Sequence, residues 1–327
     1  MTAGRTRRYR EVFDNEVRAM ATLEHPGVVV IYDHGVVDAR AERASSGRLA
    51  EGSPWLAMEL ATEGTLADHL QAPLPWGDLK RLLVALLDAL AHAHARGVVH
   101  RDIKPANVLV CSERDPRPGL KLADFGLAHP ADGSAGTRRI SGTPAFMAPE
   151  QFHGAWRDFG PWTDLYALGV LAHLMSAGQL PFPGRTLEEL REAHLETRAR
   201  ALVPRAPVPE GFQAWLGRLL DKRPSRRFRR AADAAWELER LGEPSHTFEP
   251  QVGAIAEFAT GRSAHTLQDL LEPDRTSLPE PEPSDPLGTG GPPLPSSWRR
   301  PPSPKAASLP LGLGLVPTVI EQTGRGE

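Results

Sequence analysis

The stretch Val98-Val99-His100-Arg101-Asp102-Ile103-Lys104-Pro105-Ala106-Asn107-Val108-Leu109-Val110 decides how the rest of the chain is read. Two apolar arms, each the length of a short buried strand, flank a polar loop. The loop sets a carboxylate, an ammonium and a carboxamide at fixed offsets. Asp102 is suited to accept a proton from a hydroxyl. Lys104, two residues on, can neutralise charge developing on a transferring phosphoryl group. Asn107, five residues after Asp102, can hold a magnesium ion through its side-chain oxygen. Pro105 stiffens the turn between them. A lone Asp or Asn in such a turn is ordinarily a solvated loop residue.

Moving outward, Lys121-Leu122-Ala123-Asp124-Phe125-Gly126 places a second carboxylate 22 residues after Asp102. An apolar strand delivers Asp124 to a turn relaxed by Gly126. Asp124 is a hard oxygen ligand, suited to bridging magnesium to the β- and γ-phosphates of a nucleotide. Upstream, Asp78 to Ala95 is expected to be a long amphipathic helix with Leu79, Leu82, Leu83, Leu86, Leu87 and Leu90 as its core stripe. His92 and His94 fall on different faces of that helix and read as surface or packing residues, not as a metal pair. Gly97 closes it. Thr163 to Met175 is apolar on most faces and is expected to be a buried helix, with Asp164 near its N-terminus, where it can cap backbone donors. Residues 185–198, 210–221 and 231–241 read as three further helices. Val28 to Tyr32 and Trp55 to Leu60 read as strands, and Arg40 to Ser53 as a surface loop.

His100 to Leu109, Asp124-Phe125-Gly126 and Ser141-Gly142-Thr143-Pro144-Ala145-Phe146-Met147-Ala148-Pro149-Glu150 together resemble the signature motifs of the eukaryotic-type serine/threonine protein kinases. The resemblance covers roughly residues 10–242. It implies an α+β, two-lobed fold with a truncated N-lobe, a small antiparallel sheet plus one helix, and a mainly helical C-lobe. The expected division is a partial N-lobe at 1–61, a C-lobe at 62–242 and a tail at 243–327. Residues 10–23 would be the N-lobe helix, with Phe13, Val17, Met20 and Leu23 as its stripe and Glu16 beside it. Met58 would gate the back of the nucleotide pocket, and Glu59 to Ala61 would offer backbone groups to the adenine. Thr143 matches the Thr that braces the catalytic Asp and Lys. Glu150 is expected to be buried, and the resemblance suggests Arg227 as its partner. ATP and magnesium are the implied ligands, and protein Ser/Thr hydroxyls the implied acceptors. Arg101 precedes the catalytic Asp, a pairing that goes with phosphorylation of the intervening segment; Thr137 and Ser141, near Arg138 and Arg139, are the candidate sites.

The family also carries a Gly-rich loop and a Lys that pairs with the N-lobe Glu. Here the 15 residues before Glu16 hold one Gly, Gly4, and no Lys; the first Lys is Lys80. Weak binding of magnesium-ATP by the 327-residue chain, and an extension upstream of Met1, are therefore expected. A non-catalytic binding or scaffold module of kinase-like fold is the alternative. Small-molecule phosphotransferases of related fold typically lack the Lys two residues after the Asp and the Ala-Pro-Glu segment, and both are present.

Composition agrees with a globular domain and a polar tail. The hydrophobic fraction is 40%, the charged fraction 24% and the net charge −3, which points away from nucleic acid and anionic membranes as partners. A single cysteine, Cys111, allows no internal disulfide, is expected to be a buried thiol, and suits a reducing cytoplasm. The N-terminus has no apolar core of a secretory signal, and no run approaches the ~20 apolar residues of a membrane helix. Between Pro273 and Pro317 lie 13 of the 32 prolines, so that segment cannot bury enough apolar area to order itself and reads as a linker. The apolar stretch Leu309 to Ile320 marks a possible start of a further domain.

Overall fold

Helix α6 (Pro161–Ala177) is the axis of the molecule, and every residue from Thr163 to Ala177 is buried. A helix without a polar face has no side to give to water, so its neighbours must surround it. Gly169 allows the closest approach: a Cβ there would lie 2.8 Å from the Leu219 Cβ. The computed structural model describes residues 13, 17–46, 48–70, 74–125, 143–154 and 156–244. Glu16, Gly126, Thr137, Ser141 and the Pro-rich segment lie outside the described residues.

Around α6 pack α4 (Trp76–Ala95), α7 (Leu187–Leu195), α8 (Phe212–Leu219) and α9 (Ala231–Glu239). The Leu stripe of α4 is in the core, except that Leu82 is only partly buried. Helix α4 begins two residues before the expected Asp78, at Trp76, whose ring meets Phe212 edge-on at 5.2 Å. Two short helices complete this body, α3 (Leu66–His69) and α5 (Pro149–Phe152).

The β structure is small. Strands β1 (Ile31–Val36) and β2 (Pro54–Met58) form one antiparallel pair, and β3 (Val108–Cys111) and β4 (Gly119–Leu122) form another. Helix α1, described over residues 17–21, precedes β1, and Phe13, Val17, Met20 and Leu23 are all buried as its spacing required. Tyr32 on β1 and Leu60, two residues beyond β2, are exposed, at 69% and 74%. Small sheets and a helical body make the α+β class expected from the motifs.

Four local expectations are corrected. The first strand starts at Ile31, not Val28, because residues 27–30 pair elsewhere: Val29 N donates to Leu122 O at 3.0 Å, Leu122 N to Gly27 O at 2.8 Å, and Glu59 N to Val30 O at 2.9 Å. The second strand ends at Met58, not Leu60. The region read as a loop contains helix α2 (Ala39–Ala44), whose start is capped by Asp38 Oδ1 on Ala41 N at 2.6 Å. The arm Val98–Val99 is not a strand, since the amides that follow it bond to a side chain and not to a ladder.

Candidate active site

That side chain is Asp164. It stands on α6 and is fully buried. Its Oδ2 accepts the His100 N–H at 2.8 Å and its Oδ1 the Arg101 N–H at 2.7 Å. Gly160 is the N-cap of α6, and the backbone donors that Asp164 caps belong to the loop after Gly97. His94 Nε2 donates to Asp164 Oδ2 at 2.8 Å. His94 is therefore a partner of the loop's anchor, not a surface or packing residue. Burial pushes the Asp164 carboxyl up, but the hydrogen bond and charge of His94, with His100 and the Arg101 N–H, outweigh it and leave it below the usual carboxylate range.

The loop thus held turns sharply. Arg101 has φ +70°, a left-handed conformation rare for a side-chain-bearing residue. His100 is buried, burial pushes its pKa down, and its Nε2 donates to Ala123 O at 2.9 Å. Its ring lies 4.4 Å from that of Phe125. This contact brings Asp102 and Asp124 into one neighbourhood.

Asp102, Lys104, Asn107 and Thr143 meet. Lys104 Nζ reaches Asp102 Oδ2 and Thr143 Oγ1, both at 2.8 Å. Asn107 Nδ2 donates to Asp102 O at 2.8 Å and to Asp102 Oδ2 at 3.0 Å. Thr143 N donates to Asp102 Oδ1 at 3.1 Å. Burial raises the Asp102 pKa, but Lys104, then the Thr143 N–H and His100, bring it below its ordinary value. Asp102 is fixed in place by Lys104, Asn107 and the Thr143 N–H.

With its amide nitrogen committed, Asn107 keeps its Oδ1 without a partner among the described residues. Asn107 O accepts the Ala123 N–H at 3.0 Å, which sets Asp124 beside it. Asp124 is exposed, at φ +59°, and its carboxylate has no hydrogen-bond partner among the described residues. One amide oxygen and one carboxylate are the hard donors a magnesium–phosphate complex takes from a protein. No cluster of three or more His, Cys, Asp or Glu that could hold a metal occurs among the described residues.

Behind Thr143, Glu150 and Arg227 form a bidentate pair at 2.8 and 3.0 Å. Arg227 uses its whole donor set: Nε goes to Asp221 O at 2.7 Å, Nη1 also to Trp162 O at 3.0 Å, and Nη2 also to Lys222 O at 3.2 Å. Thr163 Oγ1 donates to Glu150 Oε1 at 2.9 Å. Gln151 Nε2 donates to Arg101 O at 2.8 Å, tying α5 to the loop.

The segment after β2 is more constrained than the motif implied. Met58 is half-exposed at the strand end. Glu59 N is occupied by Val30 O, and the Glu59 side chain is paired with Arg117 at 2.8 Å. The Glu59 carbonyl and the Ala61 N–H, like the backbone groups of Leu60 between them, have no backbone partner among the described residues.

A model of the protein kinase domain family matches residues 3–236. The chain belongs to the protein kinase domain family. The chain is 31% identical over 259 residues to the serine/threonine-protein kinase PknF of Mycobacterium tuberculosis, covering 76% of this chain and 51% of that protein. It is 34% identical over 261 residues to PknL of the same organism, covering 77% and 60%, and 38% identical over 220 residues to CBL-interacting protein kinase 4 of Oryza sativa subsp. japonica, covering 65% and 44%. The chain therefore spans between about half and three-fifths of the two mycobacterial relatives. No helix among the described residues is long and apolar enough to cross a membrane.

Sequence reasoning missed His94, Gln151, Asp115 and Arg117 in this kinase domain. Gln151 directly follows the Pro-Glu pair and was findable by adjacency. The others are placed only by the fold.

Proposed function

We propose that the chain is a serine/threonine protein kinase, transferring the γ-phosphoryl group of ATP to protein Ser or Thr hydroxyls. The observation that carries this is the Asp102 carboxylate, held by Lys104, Asn107 and the Thr143 N–H beside two hard oxygens that have no partner among the described residues. Asp102 would accept the hydrogen bond of the acceptor hydroxyl and aim its oxygen. In a loose transition state the proton leaves late, so the chief task of Asp102 would be to orient the hydroxyl. The new bond joins the hydroxyl oxygen to the γ-phosphorus, the bond to the bridging oxygen breaks, ADP departs, and the proton passes to Asp102. Lys104 faces the charge that develops on the phosphoryl oxygens, and Thr143 fixes both side chains.

Magnesium would be held by Asn107 Oδ1 and Asp124, and when bound it neutralises phosphate charge. The Glu59 carbonyl and Ala61 N–H fit the adenine edge, with Met58 at the back. Residues 1–61 and 62–242 are then the two lobes of the domain, with 243–327 as a tail. Glu150 with Arg227, and Asp164, are its structural supports. The free, buried Cys111 suits the cytoplasm as its location. Phosphates on Thr137 or Ser141 would have Arg101 as a partner; its Nε is buried without a partner among the described residues.

The test is transfer from γ-labelled ATP, at millimolar magnesium-ATP, to a degenerate Ser/Thr peptide library. Labelling that is lost in Asp102→Asn and Asp124→Asn is expected. Nucleotide binding without any transfer would instead make the chain a non-catalytic binding module.

A further inference from the structure

The connection between β3 and β4, residues 112–118, grips the segment Glu59–Thr62 at both ends. At one end Arg117 Nη1 meets Glu59 Oε1 at 2.8 Å, and the same oxygen accepts the Val30 N–H at 3.0 Å. Arg117 also reaches the turn after α1: Nη2 donates to His25 O at 2.5 Å, and both Nη atoms lie 3.3 Å from Val28 O. At the other end Asp115 Oδ2 accepts the Thr62 hydroxyl at 2.8 Å, the Thr62 N–H at 3.4 Å and the Ser112 N–H at 2.7 Å. Backbone bonds finish the attachment just beyond, from Glu63 N to Val110 O at 3.1 Å and from Val110 N to Gly64 O at 2.9 Å. Between the two grips stand the Glu59 carbonyl and Ala61 N–H, without a backbone partner among the described residues.

We infer that the 112–118 connection is a clamp that positions the nucleotide hinge, with Arg117 acting through Glu59 and Asp115 through Thr62. This rests on the reading of Glu59 and Ala61 as the groups that face adenine. Neither clamp residue touches the nucleotide; both fix the spacing and direction of an acceptor and a donor two residues apart. A purine edge needs that pair preset, because ordering it at the moment of binding subtracts from affinity. Arg117 adds a second function. One guanidinium joins the hinge to the His25–Val28 turn, so a shift of α1 is passed to the adenine-facing groups through a side chain and not only through β1 and β2. The planar fork of Arg can serve a carboxylate and two carbonyls together, which the single ammonium of Lys cannot.

Backbone hydrogen exchange of the full 327-residue chain, read by mass spectrometry with fragmentation to single amides, tests the clamp. Arg117→Met is expected to speed exchange at Val30 and Glu59 by about tenfold or more, leaving Thr62 and Ser112 slow. Asp115→Ala should give the converse. Arg117→Lys should keep Val30 slow through a Lys–Glu59 pair while Val28 speeds up. Amides of α6 should not change in any variant. Unchanged exchange at Val30 and Glu59 in Arg117→Met, or acceleration of α6 to the same degree, overturns the clamp. Titration with ADP separates this from the underlying reading. If the parent chain binds no ADP, the hinge reading falls while exchange still decides the clamp. If Arg117→Met loosens the hinge yet binds ADP as tightly as the parent, the positioning role is overturned; about tenfold weaker binding is expected.

Discussion

Asp164 Oδ1 accepts the Arg101 N–H at 2.7 Å, from 63 residues further along the chain. Arg101 occupies the left-handed region at φ +70°, which costs a side-chain-bearing residue roughly 1–2 kcal/mol. The carboxylate holds that conformation by binding the two successive amides of His100 and Arg101. The chain direction at Asp102 is therefore set from within the core of the molecule.

Removing the anchor should be severe. Asp164→Ala leaves two buried N–H groups and the His94 ring without their acceptor, so a loss of about 3–5 kcal/mol in urea denaturation is expected. Asp164→Asn keeps an acceptor for one amide and should lose less. Equal stability of Asp164→Ala and the parent would show that the loop holds its turn without help.

Glu150 and Arg227 should behave unequally. Arg227→Met deprives three backbone carbonyls as well as Glu150 of donors, whereas Glu150→Gln keeps an acceptor for Arg227 and for Thr163. Arg227→Met is expected to cost about 3–5 kcal/mol and Glu150→Gln less than half of that. A double-mutant cycle should return a coupling of about 1 kcal/mol or more. Strict additivity would mean the pair contributes no more than its separate bonds to backbone.

How much of this was legible in the sequence depended on the range of the contact. The loop Asp102–Asn107 and Asp124 were readable because the chemistry is packed into a few residues with set offsets. The α4 stripe and the all-round burial of α6 were readable because periodicity reports burial. His94 was not, since a histidine at helical spacing looks the same on a surface as against a carboxylate 70 residues away. The α2 helix was hidden because its support is a single Asp38 cap with no buried face. Arg117 and Asp115 were hidden because a short polar connection carries no period, and their partners Glu59 and Thr62 lie more than 50 residues earlier.

Lys222 supplies a pH test. Its pKa falls to about 8, first because of burial and then because of Arg227, with Asp221 opposing. Its ammonium donates to Ala193 O at 3.0 Å and lies 3.6 Å from the Phe182 ring centre. The unfolded value is 10.5, so between pH about 8 and 10.5 the unfolded chain binds the extra proton. This group's contribution therefore makes stability rise with pH across that window. The stability of the parent minus that of Lys222→Met should increase from pH 8 towards 10, measured by urea denaturation. A flat difference would show that Lys222 keeps an ordinary pKa in the folded chain.

The two carboxylates of the site should separate kinetically. Asp102→Asn is expected to lower phosphoryl transfer roughly 100- to 10,000-fold with ADP affinity nearly unchanged, because on the proposed reading Asp102 would face the acceptor hydroxyl and not the nucleotide. Asp124→Asn should instead weaken the binding of magnesium-ADP, with less effect on ADP alone. Parent-like turnover in Asp102→Asn would remove it from the reaction.

The last expectation concerns the phosphates of the nucleotide. On the proposed reading Asn107 and Asp124 would hold magnesium and Glu59 and Ala61 would face the adenine, but no lysine precedes Lys80 in the 327 residues. Lys80 itself is engaged elsewhere, donating to Glu239 O at 2.9 Å and Leu241 O at 2.8 Å. Charge-assisted hydrogen bonds to phosphate are each worth about 1.5–3 kcal/mol, which corresponds to roughly a 10- to 150-fold loss of affinity when one is missing. Isothermal titration of magnesium-ATP into the purified 327-residue chain should therefore give a dissociation constant nearer the millimolar than the micromolar range. Micromolar affinity would mean that another cation neutralises the α- and β-phosphates. The arginines between Arg5 and Arg10 are then the candidates, and their replacement by Gln should return the affinity to the millimolar range.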